Sequence, residues 1–380
     1  MRVCMIMSTP LPPREGIGFY VWNLSRYLTA RGHQVQIITR GKARRTIREE
    51  IEGITIWRPP FVPAYPFHVH LHGIFVDRLV RRLESEIDLF HVHSPLVKWP
   101  RTHKPVLATV HTPMKADTGA IQPTNLWNTL IKLQAPVSYH LEQNLFDRAN
   151  KITAVAQSVA DELKEYAVDR QQVCVLGNGV DTTIFFPSTS NNNSHDPYIF
   201  TAGRLAPRKG LEDLIRSAEY VVRELPNVRF LIAGTGPLEA ELRTIIAQRK
   251  LEDRVILLGH IEDRARMLEL YQGAAAYVHA AHYEGLPTVL LEAMSCGRPT
   301  IATAVSGALD VIEDGCNGIL VPPRDPRGIA TAVISVLRNP DLGKRLGAAA
   351  RRTIEERFSW STIGQAYLTQ YSSLLQGAGE

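Results

Sequence analysis

Short apolar runs alternate with longer amphipathic stretches along the first half of the chain. Runs such as Val3-Cys4-Met5-Ile6-Met7 predict strands over residues 3–7, 34–39, 89–93, 106–110 and 151–154. Apolar positions recurring three and four apart predict helices over 18–31, 75–86, 125–150 and 158–166. A polar, Asn- and Ser-rich segment bounded by Pro187 and Pro197 then reads as a linker or long surface loop. After it the alternation restarts. Strands are predicted over 198–202, 229–233, 255–258, 275–279, 299–303 and 318–321, and helices over 211–224, 238–248, 263–272, 287–295, 307–313 and 326–338. A closing helical pair, 340–357 and 360–375, has no strand after it. Repeated β-α units predict parallel sheets covered on both faces, and the fold class is α/β with two Rossmann-like, doubly wound units. Ligands of such sheets bind at the carboxyl ends of the strands. The expected division is residues 1–187, 188–358 and a terminal helix, 359–380, returning to the first domain.

Composition narrows the class. The chain has 380 residues, 44% hydrophobic and 21% charged, an ordinary globular balance that exceeds one core. No signal-like segment precedes the first strand and no apolar run approaches a membrane span, so the expected location is cytoplasmic. Cys4, Cys174, Cys296 and Cys316 lack metal or redox spacing and read as reduced. Charge is uneven: residues 1–187 carry 22 Lys and Arg against 16 Asp and Glu, whereas 188–380 carry 21 against 22. Arg40, Lys42, Arg44, Arg45 and Arg48 form one basic cluster, and Arg78, Arg81 and Arg82 another. These fit a solvated loop and helix face, or contact with anionic headgroups at the inner membrane face or with a phosphorylated acceptor. Nucleic acid is disfavoured by the lack of aromatic interleaving.

The chemistry lies at strand-to-helix loops. The first strand leads through a Pro-rich approach to Gly16-Ile17-Gly18, where backbone N–H groups could meet an anion at a helix start, although a plain turn fits equally. In the second half, Gly203-Arg204-Leu205-Ala206-Pro207-Arg208-Lys209-Gly210 places a guanidinium fork and an ammonium on one loop. That pair suits a pyrophosphate, and its attraction grows as a leaving diphosphate gains charge. Arg208 is expected to face solvent. Gly234-Thr235-Gly236-Pro237 follows the next strand and leaves room for a flat base or ribose. Farther on, His282-Tyr283-Glu284-Gly285-Leu286-Pro287-Thr288 runs into a helix that holds Glu292. Carboxylates accept paired hydrogen bonds from vicinal hydroxyls, which suits Glu284 to a sugar and Glu292 to a ribose. The free N–H groups around Gly285–Val289, a stretch that also holds Leu286, Pro287 and Thr288, frame the same space. The bland alternatives are an N-terminal helix acid and a partly buried ion pair.

Glu284 and Glu292, eight apart with Gly285 and Pro287 between them, resemble the E-x7-E signature of the family-4 retaining glycosyltransferases. Gly203-Arg204 with Lys209-Gly210 is similar to that family's G-R-L-x-x-x-K-G loop, and Gly234-Thr235-Gly236-Pro237 to its G-x-G-P turn. Asn178-Gly179-Val180-Asp181 with Phe186-Pro187, and Arg31-Gly32-His33-Gln34-Val35, resemble two further motifs. The departures are Gly16-Ile17-Gly18 in place of a Gly-Gly pair, and Gly177 where Pro is common. The resemblance implies a GT-B fold, two Rossmann-like domains facing across a cleft, and metal-free transfer of a hexose-type sugar from a nucleotide-diphosphate donor with retention of configuration. It also implies contact with the donor phosphate at Gly16 and Gly18, and diphosphate contact at Gly203, Arg204 and Lys209. Glu284 would meet the sugar and Glu292 the ribose, and His111, in Val110-His111-Thr112-Pro113, would lie near the sugar ring. A front-face route fits the resemblance, since no carboxylate stands obviously as a nucleophile, and a route through a covalent glycosyl-enzyme stays open.

The histidines His68, His70, His72, His91, His93 and His111 invite a metal reading, since alternate strand residues share a face. No carboxylate is suitably interleaved, and the resemblance implies no metal and no cofactor beyond the donor substrate; His93 and Lys98 would line the acceptor side. Competing functions are a nucleotide-sugar epimerase or phosphorylase of the same fold, an inactive binding module, and a dehydrogenase, which lacks its fingerprint. The base, sugar and acceptor (lipid-linked, glycan or small molecule) are not encoded in these motifs.

Overall fold

The computed structural model describes residues 1–13, 16–42, 44–64, 67–119, 126–169, 172–188 and 196–377. Most of the expected linker between Pro187 and Pro197 lies outside the described residues. The chain divides into two compact units, Met1–Asn178 with Ile363–Glu380, and Gly179–Thr362.

In the first unit the elements are β1 (Arg2–Ile6), α1 (Gly16–Thr29), β2 (Gln34–Ile38), β3 (Ile47–Ile51), β4 (Ile54–Arg58), α2 (His68–Leu83), β5 (Leu89–Ser94), β6 (Val106–Val110), α3 (Met114–Gly119), α4 (Leu126–Phe146), β7 (Lys151–Ala154), α5 (Gln157–Glu162) and β8 (Val173–Val175). The sheet order is β3-β4-β2-β1-β5-β6-β7-β8, parallel except at the β3–β4 edge. Val3, Cys4, Met5, Leu89, Phe90 and Val92 have no exposure, as expected of central parallel strands covered on both faces.

The apolar pattern predicts no strand between 39 and 89, yet β3 and β4 form a hairpin there. Its turn residues Glu52 and Gly53 both have positive φ, 52° and 75°, which matches the twist of a tight hairpin. The charged face of β3 hid it. Arg48, assigned above to a basic loop or helix face, sits in this strand with its guanidinium 5.5 Å from the Trp57 ring. Helix α2 also begins earlier than the pattern predicts. His68, His70 and His72 lie on its first turns rather than on a strand, so alternate residues there do not share a face.

The second unit contains β9 (Tyr198–Ala202), α6 (Leu211–Glu224), β10 (Arg229–Ala233), α7 (Glu239–Gln248), β11 (Val255–Gly259), α8 (Arg264–Gly273), β12 (Ala276–His279), α9 (Thr288–Ser295), β13 (Thr300–Thr303), α10 (Ser306–Val311), β14 (Ile319–Val321), α11 (Pro326–Arg338) and α12 (Pro340–Thr353). Its six strands are all parallel in the order β11-β10-β9-β12-β13-β14. Leu211, Leu214, Ile215, Ala218 and Val221 give α6 one buried stripe, packed in the same core as Ile329, Ala330 and Val333 of α11. Asp325 caps α11 by accepting from the Gly328 N–H, with Pro326 at the first helical position.

The last helix, α13 (Trp360–Gly377), carries the chain back into the first unit. Tyr367 and Tyr371 are fully buried there. A Cβ on Gly364 would come within 2.3 Å of the Tyr27 ring, so only glycine allows this approach. Burial of two tyrosines contributes on the order of several kcal/mol if their hydroxyls find partners. They do: the Tyr20 hydroxyl donates to Tyr367 at 2.5 Å, and Tyr371 meets His91 Nδ1 at 2.7 Å.

Candidate active site

In the second unit, three strand-end loops meet. The β9 loop pairs with the β10 loop through the Leu205 N–H donating to Thr235 O at 2.9 Å and the Leu238 N–H to Leu205 O at 3.1 Å. It pairs with the β12 loop through the His282 N–H donating to Arg208 O at 2.8 Å. Two glycines permit this crowding. Gly234 has φ of 135°, and a Cβ there would lie 1.9 Å from Gly203 O; Gly210 has φ of 61°, and a Cβ would lie 1.9 Å from Ala280 O. Gly236 packs against Leu205 in the same way.

A pocket at this end of the sheet is lined by Thr201, Ala202, Gly203, Arg204, Lys209, Leu211, Ile232, His279 and Ala280. The Lys209 ammonium donates to Glu284. Arg208, expected to face solvent, also stands 3.7 Å from Glu284, half exposed. Burial pushes the Glu284 carboxyl upward, but Lys209, then Arg208 and His279, outweigh it and hold the group below its ordinary value. Glu284 is therefore an anion braced between two cations. Arg204 is exposed, and its guanidinium has no hydrogen-bond or ion-pair partner among the described residues. Lys209 retains donors beyond the one given to Glu284. The rim thus offers an unpaired fork and an ammonium at one pocket, an arrangement for an anion with several oxygens.

Glu292 lies in α9, half-buried, and accepts from the fully buried Tyr271 hydroxyl at 2.8 Å. Burial raises its carboxyl to about 7, against the lowering effect of Tyr271. Pro287, expected as the first helical residue, instead occupies the N-cap position with extended backbone, and Thr288 starts the helix. The first-turn N–H groups have no acceptor within the helix. Gly285 is held close: the Gly307 N–H donates to Glu284 O at 3.3 Å, and a Cβ on Gly307 would strike Gly285 O. Leu286 is buried.

His279 was not singled out by the sequence. It is buried in the pocket wall with Nε2 unpartnered, and burial, then Lys209, lowers its value to about 4. Its signal was position, at the end of a fully buried strand. Asp213 on α6 was missed too: it accepts from His282 Nε2 at 2.7 Å and so steadies the loop before Glu284.

In the first unit, Gly16 starts α1 with open space around it, whereas Gly18 packs against Pro13 at 3.3 Å. His111 follows β6 and is buried, with its value lowered to about 3 by burial. Its Nε2 lies 3.3 Å from His93 Nδ1, and the Tyr20 ring meets it edge-on at 4.8 Å. His93 and His91 are also held well below the ordinary imidazole value by burial, so the three rings are neutral. His91 bonds Tyr371 and Thr109, the latter at 2.6 Å, which makes it a structural link rather than a ligand. Lys98 pairs with Asp77 at 3.3 Å beside a second pocket lined in part by Ser8 and His72. Gly16, Gly18 and His111 belong to the first unit and the other site residues to the second, so they are not members of one cluster within either unit. Among the described residues no group of three or more His, Cys, Asp or Glu is placed to hold a metal ion.

Glu142, absent from the motif reading, is a buried acid on α4. It accepts from the Ser94 hydroxyl at 2.5 Å, the Met114 N–H at 2.8 Å and the Tyr166 hydroxyl. It therefore ties together the loops after β5 and β6, the second of which carries His111. The available signal was its place on the apolar spacing of Ala135, Leu145 and Phe146.

Two parallel-sheet α/β units with these strand-end loops define a glycosyltransferase of the GT-B fold. Residues 14–184 match the model for Glycosyltransferase Family 4, and residues 183–353 match that for Glycosyl transferases group 1. The chain belongs to this family of group 1, family 4 glycosyltransferases and is a glycosyltransferase. It is 28% identical to the D-inositol 3-phosphate glycosyltransferase of Xylanimonas cellulosilytica, covering 94% of this chain and 91% of that one. A solved sucrose-phosphate synthase from Thermosynechococcus elongatus superposes with a TM-score of 0.84 at 21% identity, covering 99% of both chains. The Anabaena HepE structure in complex with UDP-glucose gives 0.75 at 19% identity, covering 98% of this chain and all of that one.

Proposed function

We propose that this protein transfers a hexose-type sugar from a nucleoside-diphosphate donor to an acceptor hydroxyl, with retention of anomeric configuration and without a metal ion. The observation that carries the reading is the pocket at the end of β9 and β12, where Arg204, without a partner among the described residues, and Lys209, paired with Glu284, share one rim and Glu284 is held ionised beside them. Arg204 and Lys209 bind the diphosphate, together with the backbone of Gly203. Their attraction is greatest as the bond between the anomeric carbon and the diphosphate oxygen breaks, when that oxygen takes the electron pair. The acceptor oxygen bonds to the anomeric carbon from the same face, and its proton passes to the departing phosphate. Glu284 accepts from sugar hydroxyls, and Glu292 from the ribose diol; Gly234 and Gly236 leave space for the nucleoside. In the first unit, Gly16 serves the donor phosphate and His111, neutral and fixed by His93, acts toward the sugar ring.

Several findings support this reading: the family membership, the UDP-glucose bound by HepE, and the cations at the pocket rim. The acceptor side belongs to the first domain, and a peripheral place at an anionic membrane is part of the same proposal. The test is product formation from a panel of nucleotide sugars in excess EDTA, with the product anomer read by NMR. Activity that needs a divalent metal, or an inverted product, overturns the mechanism. Conversion of donor without any acceptor, beyond slow hydrolysis, overturns the transferase assignment in favour of an epimerase.

A further inference from the structure

Helix α2 is apolar on two faces, and only one of them is covered. Val69, Val76, Leu79, Val80 and Leu83 point into the first unit's core. At about 100° per residue, Phe67, Leu71, Ile74, Phe75, Arg78, Arg81 and Arg82 fall within roughly a third of the helix circumference, away from that core. Phe67 at the N-cap is 58% exposed and Ile74 is 46% exposed, while Leu71 and Phe75 are half-buried. The three arginines are exposed, and none has an ion pair or side-chain hydrogen bond among the described residues. The one acid within the helix, Asp77, is turned inward and engaged by Lys98 and Arg101. The outer face is thus apolar over its first half and cationic over its second, with no acid on it.

Arg40 of the other basic cluster approaches the opposite, N-terminal end of the helix, through a ring that packs on its buried histidines. The Arg40 guanidinium lies 5.3 Å from the Phe61 ring, and that ring meets His68 and His72 at 6.0 and 5.5 Å. Lys42, Arg44 and Arg45 are exposed. A solvated helix face explains the arginines but leaves exposed Phe67 and Ile74 in water. A protein pocket could cover the apolar half but would leave the three arginines of that face unmatched unless it were acidic. A bilayer rich in anionic phospholipid satisfies both: apolar side chains enter the headgroup–acyl boundary, and guanidinium groups stay among phosphates.

We propose that the outer face of α2, from Phe67 to Arg82, docks the protein on anionic membrane, lying in the plane of the headgroups. The surface is separate from the Arg204 and Lys209 pocket, so its test does not depend on sugar transfer. Flotation is measured with vesicles of phosphatidylcholine alone and with added phosphatidylglycerol. The wild type is expected to float with the anionic vesicles only, and to keep part of that binding in high salt because Ile74 and Phe67 are inserted. Each cation at such a surface is worth about fivefold, so Arg78→Gln/Arg81→Gln/Arg82→Gln should lose about a hundredfold in partitioning. Ile74→Asp should remove the salt-resistant part. Nucleoside-diphosphate affinity, titrated in parallel, should be unchanged in both variants and shows that they are folded. Absence of wild-type flotation, equal binding to neutral vesicles, or a dimer in light scattering that Ile74→Asp dissolves would each overturn the proposal.

Discussion

The strand-end loops of the two units solve the same problem by opposite means. In the second unit the loops meet through glycine backbone and present ions: Arg204 unpaired, Lys209 and Arg208 on Glu284. In the first unit the corresponding region is neutral and closed, with His91, His93, His111, Tyr20, Tyr367 and Tyr371 stacked and hydrogen-bonded in a water-excluded cluster. The charged rim can respond to a ligand whose charge changes. The neutral cluster has no charge to answer with and fixes the His111 ring by packing, with the terminal helix α13 supplying two of its six rings. A residue's importance therefore shows as lost affinity for charge in one unit and as lost order in the other.

Removing a cation should give the largest effect. On the proposed assignment Lys209→Ala deletes a phosphate donor and leaves Glu284 largely buried with less compensation, and kcat/KM should fall about a thousandfold. Steady-state kinetics check this; a loss under tenfold would place the diphosphate elsewhere. Glu142→Ala should come next. It strands the Ser94 and Tyr166 hydroxyls and the Met114 N–H, at a cost of about 3 kcal/mol in local stability, roughly a hundredfold in opening. Hydrogen exchange over β5, β6 and α4 should accelerate while nucleoside-diphosphate binding to the second unit is retained. Glu142→Gln should recover most of the loss, because its oxygen accepts from Met114 and Tyr166 while its amide donates to Ser94.

Tyr371→Phe removes one hydroxyl from His91 and should cost about 1 kcal/mol, read as severalfold faster exchange in α13 with activity nearly intact. If activity collapsed instead, the terminal helix would have a catalytic rather than a holding role. A pH dependence of comparable size is also expected. With the Glu292 carboxyl raised to about 7, protonation at pH 6 removes a hydroxyl acceptor, and ionisation by pH 8 restores it. Binding of the nucleoside should tighten by severalfold, up to about tenfold, from pH 6 to 8. Use of the nucleoside itself avoids phosphate titration, and Glu292→Gln should flatten the profile. In the absence of ligand the sign is opposite for stability: a carboxyl whose value is raised by folding favours the folded state at low pH, and that contribution is lost as pH rises from the ordinary 4.5 through 7.

The order of strands and helices was legible because central parallel strands are continuous apolar runs and their helices carry one apolar stripe; β9, β10, α6 and α11 appear at the expected residues. The charged hairpin β3–β4 was not, since its stability comes from pairing at a sheet edge rather than from burial. Likewise, local spacing on loops confines Gly203, Arg204, Lys209 and Glu284 to one end of a sheet, and they stand together there. Only the tertiary structure decided that Arg208 turns toward Glu284, that Glu292 leans on Tyr271, and that Glu142 and Tyr371 join residues far apart in the chain. Periodicity reports which side of an element is buried, but the partner of a buried polar group is set by another segment, and no local pattern records which one.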